Sequence, residues 1–202
     1  MKSGGVVLCG GLSTRMGRPK AWLPFGPELM LQRVVRILSE VVSPIVVVAA
    51  RDQEIPELPA DVEIDRDEYD ECGPLAGLAV GLTALAGRCD AAYVTSCDVP
   101  LLTPLFVERV AALLGDFDVA IPRDADHSHP LAAVYRTSLA HLAHEQISKE
   151  ERRLLSLLDH CRSRVIEVAE LHDVDPELQS LRNINSPDDY ARALREAGFA
   201  SS

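Results

Sequence analysis

Aromatic side chains are scarce in this chain, at 4% of its 202 residues. Proteins that hold single-stranded nucleic acids stack the bases on aromatic rings, so this composition disfavours that function. The formal net charge of −11 points the same way, because an acidic surface repels a phosphate backbone. We therefore expect no nucleic-acid partner.

The sequence also lacks an unbroken apolar run of about 20 residues, the length that a membrane-spanning helix requires. It does not open with the separate apolar region and cleavage site of a secretory signal. The five cysteines are odd in number and scattered, with no C-x-x-C pair, which disfavours a disulfide framework or a zinc site. We expect a cytoplasmic protein with free thiols and no membrane partner.

Acidic residues are missing from one segment altogether, the first 27 residues. That segment nevertheless contains four cations and so carries a charge of +4. The rest of the chain carries −15, which gives the net charge of −11. The cations are Lys2, Arg15, Arg18 and Lys20. A local basic segment on an acidic chain is typical of a site for a small anion.

Residues 8–20 read LCGGLSTRMGRPK and follow a short apolar run that predicts a buried strand. Glycine amides at Gly10 and Gly11 can approach phosphate oxygens closely, because glycine has no Cβ. Arg15 and Lys20 would neutralise different phosphoryl oxygens, the first as a fork and the second as a point charge. The glycine spacing differs from both the Walker A and the G-x-G-x-x-G motifs. An ordinary strand-to-helix turn with solvated cations is the alternative.

The chain alternates predicted strands and helices along its length. Strands are predicted at 6–9, 45–49, 61–65, 91–96, 118–122, 132–135 and 163–168, and helices at 29–40, 73–85, 103–114, 139–146, 151–160 and 186–196. This alternation predicts an α/β sandwich with a mostly parallel sheet, in a single domain spanning 1–202. Ligands of such sheets bind outside the carboxyl ends of the strands.

Asp98 comes just after the strand predicted at 91–96, at that same edge of the sheet. A carboxylate there suits Mg²⁺, which needs only one or two protein carboxylates when phosphates supply the other ligands. A turn or helix-capping aspartate ahead of Pro100 is the alternative, since aspartate is common in turns.

The run at 8–20 resembles the signature loop of nucleotidyltransferases that activate small phosphorylated substrates. It is most similar to the loop of the molybdenum cofactor guanylyltransferase (MobA-like) family, L-x-G-G-x-S-x-R-M-G-x-x-K. Other segments that resemble the family are G-P-L-A-G at 73–77, D-x-P at 98–100, E-R-R at 151–153, H-P at 129–130 and N-x-N-S-P-D-D at 183–189. Related cytidylyltransferases usually carry Ala-Gly at the Gly10-Gly11 pair, which favours GTP over CTP here.

This resemblance implies a Rossmann-like three-layer α/β/α nucleotidyltransferase fold, similar to the GT-A fold. It implies transfer of GMP from MgGTP to the terminal phosphate of molybdopterin cofactor, with release of pyrophosphate. Arg15, Lys20 and Asp98 would be catalytic, and Asp98 would be the ligand of the Mg²⁺ cofactor. The substrates would be GTP and molybdopterin cofactor, with transient contacts to molybdoenzymes or other cofactor-biosynthesis proteins.

The resemblance also implies two sets of binding residues. The nucleotide-binding positions are Leu8, Cys9, Gly10, Gly11, Ser13, Lys20, Asp67, Gly73, Pro74 and Asp98. The acceptor-binding positions are His129, Asn183 and Asn185, for which ordinary loop and turn roles are the alternative. Asp65 is an alternative to Asp67, and the asparagine that the family often carries near 46–51 is missing here.

Two other functions stay open from the sequence. The chain is also compatible with a molybdopterin cytidylyltransferase or another small-substrate nucleotidyltransferase, because one glycine carries the choice of base. A non-catalytic nucleotide-binding regulator is the alternative of another class. No Ser/His/Asp set is apparent in the sequence, which agrees with an acceptor phosphate that is itself the nucleophile.

Overall fold

A seven-stranded sheet forms the centre of this computed structural model, which describes residues 2–10, 18–67 and 73–199. The strands are β1 Ser3–Leu8, β4 Ile45–Ala50, β5 Val62–Asp67, β6 Ala91–Ser96, β7 Val119–Arg123, β8 Ala132–Arg136 and β9 Ser163–Glu167, with β2 Pro24–Phe25 and β3 Glu28–Leu29 forming a separate hairpin. The helices are α1 Met30–Ser39, α2 Gly73–Leu85, α3 Pro104–Ala112, α4 Ala140–Ser148 and α5 Pro187–Glu196. Short 3-10 helices span Lys20–Trp22, Thr137–Leu139, Leu154–His160, Val168–Glu170 and Gln179–Leu181.

The order of the strands across the sheet is β5-β4-β1-β6-β8-β7-β9. All neighbouring pairs are parallel except those that involve β8, which runs antiparallel to both β6 and β7. Six of the seven strands therefore end at one edge of the sheet, and β8 begins there. The predicted mostly parallel sheet is confirmed, and this carboxyl edge is where ligands of such sheets bind.

Helices cover both faces of the sheet and make three layers. On one face α1 and α3 bury Leu31, Leu38 and Phe106 against the strands. On the other face α2 and α4 bury Leu78 and Ala143 in a second core. The β-branched run of β4 reads as continuously apolar because its residues alternate between these two cores.

Two glycines bring α2 unusually close to β1. A Cβ on Gly81 would lie 2.5 Å from Cγ1 of Val6, and one on Gly77 would lie 3.1 Å from Cδ2 of Leu8. Helix α2 follows β5, so its first turn lies at the carboxyl edge. The close approach therefore holds the start of α2 beside the end of β1.

Helix α5 packs on the β2–β3 hairpin through a small third core. Phe25 and Met30 meet Ile184 and Ala193 there, and the Tyr190 hydroxyl donates to the carbonyl of Pro24. Ser186 caps α5 by accepting from the amide of Asp189 at 3.1 Å. The segment that precedes this cap, residues 183–185, is thereby fastened near Lys20.

The predicted helix at 151–160 is wrong in type and extent, because a 3-10 helix covers only Leu154–His160. Glu150 adopts a φ of +64°, which ends the preceding turn. The Glu151 carboxylate then accepts from the amides of Arg152 and Arg153, both at 2.9 Å, so these donors are satisfied outside a helix.

The other predicted strands and main helices are present with ends shifted by up to a few residues, and the β2–β3 hairpin is an element the sequence did not predict. Within the described ranges, every helix is too short or too polar to cross a membrane.

Candidate nucleotide-binding site

Lys20 and Asp98 form an ion pair at the carboxyl edge of the sheet. The Lys20 Nζ lies 2.6 Å from Oδ2 of Asp98, and the two side chains are 18% and 11% exposed. Lys20 also donates to Oδ1 of Asn185 at 2.8 Å. Lys20 follows the loop after β1, and Asp98 follows the adjacent strand β6, so parallel pairing brings together residues 78 positions apart.

The other oxygen of Asp98 is held by two neutral donors. The Ser96 hydroxyl donates to Oδ1 at 2.5 Å, and Nδ2 of Asn183 donates to the same oxygen at 2.8 Å. The amide of Ile184 donates to the backbone carbonyl of Asp98 at 2.9 Å, which ties the two segments together. The carboxylate is therefore oriented from both of its oxygens.

Sequence reasoning missed Ser96. A signal was available, because Ser96 is the last residue of the strand predicted at 91–96 and stands two positions before Asp98. The predictions for Asn183 and Asn185 named acceptor binding, and the structure places both amides on the Lys20–Asp98 pair.

The end of β1, where the predicted phosphate loop begins, is held by Gln53. Its Nε2 donates to the carbonyl of Cys9 at 2.9 Å, and its Oε1 accepts from the amide of Ala50 at 3.2 Å. Arg66 in turn donates to the carbonyl of Gln53 at 2.6 Å. An amide side chain thus stands at the ends of β1 and β4, a few residues after the stretch that lacks the expected asparagine. Sequence reasoning did not identify it.

Cys9 and Cys97 directly follow the neighbouring strands β1 and β6, and both are buried. The interaction between the two thiols lowers the pKa of Cys9, and together with burial it raises the pKa of Cys97 well above its usual value. Cys97 is therefore protonated at neutral pH.

Asp67 and the start of α2 lie on the far side of β1 from Asp98. Asp67 ends β5, half-buried, at the carboxyl edge, whereas Asp65 is exposed two residues further from that edge. Gly73 opens α2 with a φ of +66°, and a Cβ there would lie 3.3 Å from the carbonyl oxygen of Arg152. Pro74 follows, exposed, in the first turn.

His129 lies in the loop between β7 and β8, which is also at the carboxyl edge. Its Nε2 lies 2.8 Å from Oδ2 of Asp124, and its backbone amide donates to the carbonyl of Pro122 at 2.8 Å. The amides of Asp126 and His127 donate to Asp124, and with His129 they hold the pKa of Asp124 at about 2. The ring of His129 is thus oriented within its own loop.

The same loop contains one group of possible metal ligands, Asp124, Asp126 and His127, whose ligand atoms lie within 4.8 Å of one another. Two of the three residues are exposed. Nothing in this geometry connects the group with the Lys20–Asp98 pair. Predicted residues Gly11, Ser13 and Arg15 lie outside the described residues.

Comparison with known proteins decides the family. The model of the MobA-like NTP transferase domain matches residues 5–165, most of the chain. The chain belongs to the MobA-like NTP transferase family. As a family member it is a nucleotidyltransferase, and enzymes of this kind generally use a divalent metal.

Relatives of this MobA-like chain carry consistent names. It is 37% identical to a protein of Mycobacterium avium named "Probable molybdenum cofactor guanylyltransferase", over 98% of this chain and 97% of that protein. A protein of Mycobacterium tuberculosis with the same name is 38% identical, over 90% and 88% of the two chains.

Solved structures confirm the predicted Rossmann-like nucleotidyltransferase fold. "Molybdopterin-guanine dinucleotide biosynthesis protein A" from Archaeoglobus fulgidus superposes on the MobA-like chain with a TM-score of 0.79 and 26% identity, covering 99% of this chain and 100% of the other. The 2-C-methyl-D-erythritol 4-phosphate cytidylyltransferase of Thermus thermophilus has a TM-score of 0.70 at 16% identity, over 98% and 100% of the chains, which shows a shared fold alone.

Proposed function

We propose that this chain is a molybdenum cofactor guanylyltransferase, which transfers GMP from MgGTP to the terminal phosphate of molybdopterin cofactor. The observation that carries the proposal is the Lys20–Asp98 pair, a cation and a carboxylate joined at 2.6 Å at the carboxyl edge of the sheet, beyond the ends of β1 and β6. The names of relatives at 37% and 38% identity support the choice of GTP and of this acceptor.

The nucleotide lies across the carboxyl edge in this proposal. Asp67, Gly73 and Pro74 contact the nucleoside on the β5 and α2 side, and the loop that begins at Gly10 holds the phosphates. The ends of β5 and β6 are three strand spacings apart, about 14 Å at about 4.8 Å per strand. An extended nucleoside triphosphate suits that span.

The site suits a divalent cation such as Mg²⁺. Oδ2 of Asp98 already faces a positive charge, the Lys20 ammonium, so the position stabilises cations. Asp98 would hold Mg²⁺ together with the phosphates of GTP, because Mg²⁺ needs few protein ligands. When bound, the ion would withdraw electrons from the phosphoryl oxygens and neutralise their charge.

Transfer needs no nucleophile from the protein. An oxygen of the acceptor's terminal phosphate attacks the α-phosphorus of GTP, and the bond from that phosphorus to the oxygen bridging the β-phosphate breaks. Pyrophosphate leaves with the electron pair of that bond. Arg15 and Lys20 neutralise the charge that develops on it, so alignment and charge neutralisation supply the catalysis.

The acceptor binds on the side of β8, opposite the nucleoside. His129 stands at that side of the edge and contributes there in this proposal. Asn183 and Asn185 orient the Lys20–Asp98 pair, and acceptor contacts from them stay a prediction. We propose that the protein acts in the cytoplasm and meets molybdoenzymes or other cofactor-biosynthesis proteins transiently.

The test is to incubate the pure protein with Mg²⁺, molybdopterin cofactor and either GTP or CTP, and to measure nucleotide-linked cofactor and pyrophosphate. We expect product with GTP alone. We expect Lys20→Ala to lower turnover at least tenfold, about 1.4 kcal/mol of transition-state stabilisation. The matched control is Lys149→Ala, which should retain full turnover, since Lys149 follows α4 directly and forms an exposed ion pair with Glu145 at 2.7 Å.

Other results would change the assignment in defined ways. Product with CTP instead would keep the mechanism and overturn the choice of base. A protein that binds MgGTP but forms no product with either nucleotide would overturn this acceptor, and a search with other phosphorylated acceptors would then separate another transferase from a regulator.

A further inference from the structure

The two oxygens of Asp98 face different partners. Oδ1 accepts from the Ser96 hydroxyl at 2.5 Å and from Nδ2 of Asn183 at 2.8 Å. Within the described residues, Oδ2 accepts from a cation alone, the Lys20 Nζ at 2.6 Å. The carboxylate is therefore divided into one oxygen held by neutral donors and one oxygen that faces positive charge.

Ser96 completes a closed arrangement around Oδ1. Its Oγ accepts from Nδ2 of Asn183 at 3.2 Å while it donates its single proton to Asp98. Ser96 is 8% exposed, so its hydroxyl is shielded from competing water. Strand β6 fixes its backbone through pairing with β1 on one side. Ser96 therefore has one partner for its proton, in a fixed direction.

We propose that Ser96 is a positioning residue, which with Asn183 occupies Oδ1 and so presents Oδ2 of Asp98 alone to a divalent cation. The inference rests on the proposed function, because it concerns the metal of that same site. A carboxylate with one oxygen occupied by hydrogen bonds binds a metal through the other oxygen, which suits the strict octahedral geometry of Mg²⁺. Hydrogen bonds to a ligating carboxylate matter for affinity, typically by about 10-fold to 100-fold.

This difference between the two oxygens also explains why the Lys20 ammonium contacts Oδ2. In the absence of nucleotide its ammonium compensates the charge of that oxygen, at the position a divalent cation would take. With a metal–nucleotide complex bound, Oδ2 of Asp98 would hold the cation and the Lys20 ammonium would be available to the phosphates. Ser96 and Asn183 would still hold the carboxylate, since their hydrogen bonds involve the other oxygen.

The experiment measures Mn²⁺ affinity by electron paramagnetic resonance titration of the whole chain with saturating GTP. We expect Ser96→Ala to weaken Mn²⁺ binding about tenfold. We also expect it to raise the KM for Mg²⁺ by a similar factor, with kcat at saturating Mg²⁺ within about threefold of wild type. Ser96→Thr keeps the hydroxyl and should restore Mn²⁺ affinity to within about threefold of wild type. Ser96→Cys has a weaker donor and should be intermediate, and it replaces Ser96→Ala if that variant does not fold.

The matched control is Thr95→Val on the same strand. The Thr95 hydroxyl is buried without a hydrogen-bond partner in the described part of the chain. Its removal should leave Mn²⁺ affinity unchanged and stability equal or higher, because a buried unpartnered hydroxyl destabilises the fold.

Three results would overturn the inference. The first is unchanged Mn²⁺ affinity in folded Ser96→Ala. The second is a loss of Mn²⁺ affinity in Ser96→Thr as large as that in Ser96→Ala, and the third is the same loss in Thr95→Val. Each of these is compatible with a wild-type protein that transfers GMP, so the proposed function would stand. A wild-type protein that neither binds Mn²⁺ with GTP nor transfers GMP would overturn the proposed function and this inference together.

Discussion

Replacing Asp98 with asparagine tests the centre of the site with little change of shape. Oδ1 of the new side chain can still accept from Ser96 and Asn183, at the present 2.5 and 2.8 Å. The amide that replaces Oδ2 would face the Lys20 ammonium, so a donor would meet a donor where an ion pair of 2.6 Å now stands. The substitution therefore removes charge and one hydrogen bond at a known atom.

The size of the effect on stability follows from burial. Removing one partner of a fully buried ion pair costs about 3–5 kcal/mol. This pair is 18% and 11% exposed, and Lys20 keeps its hydrogen bond to Asn185 at 2.8 Å. We therefore expect a lower cost of about 1–3 kcal/mol, in the range of a lost charged hydrogen bond. For a protein of this size that lowers Tm by about 2–12 °C.

The effect on function should be larger and of a different kind. Wild-type protein with Mg²⁺ and GTP at about 100 times Kd should gain about 2.7 kcal/mol of stability. The Asp98→Asn variant should lose most of that gain, and its turnover should fall at least tenfold. Thermal unfolding with and without MgGTP, together with pyrophosphate release, measures both effects.

Asp118→Asn is the matched control for this substitution. Asp118 accepts from the amide of Arg162 at 2.9 Å and precedes β7, at the opposite edge of the sheet. Its replacement should lower Tm without any change in stabilisation by MgGTP or in turnover. Folded Asp98→Asn protein with turnover within threefold of wild type and normal stabilisation by MgGTP would refute a metal-binding role for the carboxylate.

Two further predictions concern packing and pH. Gly81→Ala should destabilise the fold by about 1–2 kcal/mol, because its Cβ would lie 2.5 Å from buried Val6, an overpacking cost partly offset by helix propensity. A Cβ on Gly77 would meet only the end of a side chain, at 3.1 Å, so Gly77→Ala should lower the free energy of unfolding less. Equal free energies of unfolding for the two variants in urea would contradict the packing argument. Hydrogen bonds hold the pKa values of Asp124 and Glu151 at about 2, below unfolded values of about 4, so both stabilise the fold above pH about 4. Urea unfolding should therefore show stability falling from pH about 4 to about 2, with a shallower fall in Asp124→Asn.

Local sequence patterns predicted most of the strands and helices, because these elements depend on hydrophobic period and turn chemistry over a few neighbouring residues. The run at 45–50 is continuously apolar and β-branched, and it forms a strand buried on both faces. The helix predicted at 186–196 is present as α5, whose first turn is capped by Ser186 and has Pro187 at its first position. The segment 151–160 was predicted incorrectly because the Glu151 side chain, rather than helical spacing, decides where its amides bond.

The sequence predicted individual site residues, but it did not predict the contacts between them. Lys20 and Asp98 were named from motifs, but their ion pair joins positions 78 apart. Asn183 was expected at the acceptor, and its amide donates to Asp98 across 85 positions. Ser96 was not named, although it stands two positions before Asp98, because a short motif does not show which oxygen of a nearby carboxylate a hydroxyl will reach.

By itself, the sequence determined the alternation of strands and helices, the basic glycine-rich loop, and the residue types at each strand end. These depend on hydrophobic period, turn chemistry and charge, which act over a few residues. Only the tertiary structure decided that β1 and β6 are neighbours, that α5 fastens residues 183–185 beside them, and that Asp98 presents its two oxygens to different partners. Those facts depend on strand order and packing between distant segments, which no local pattern specifies.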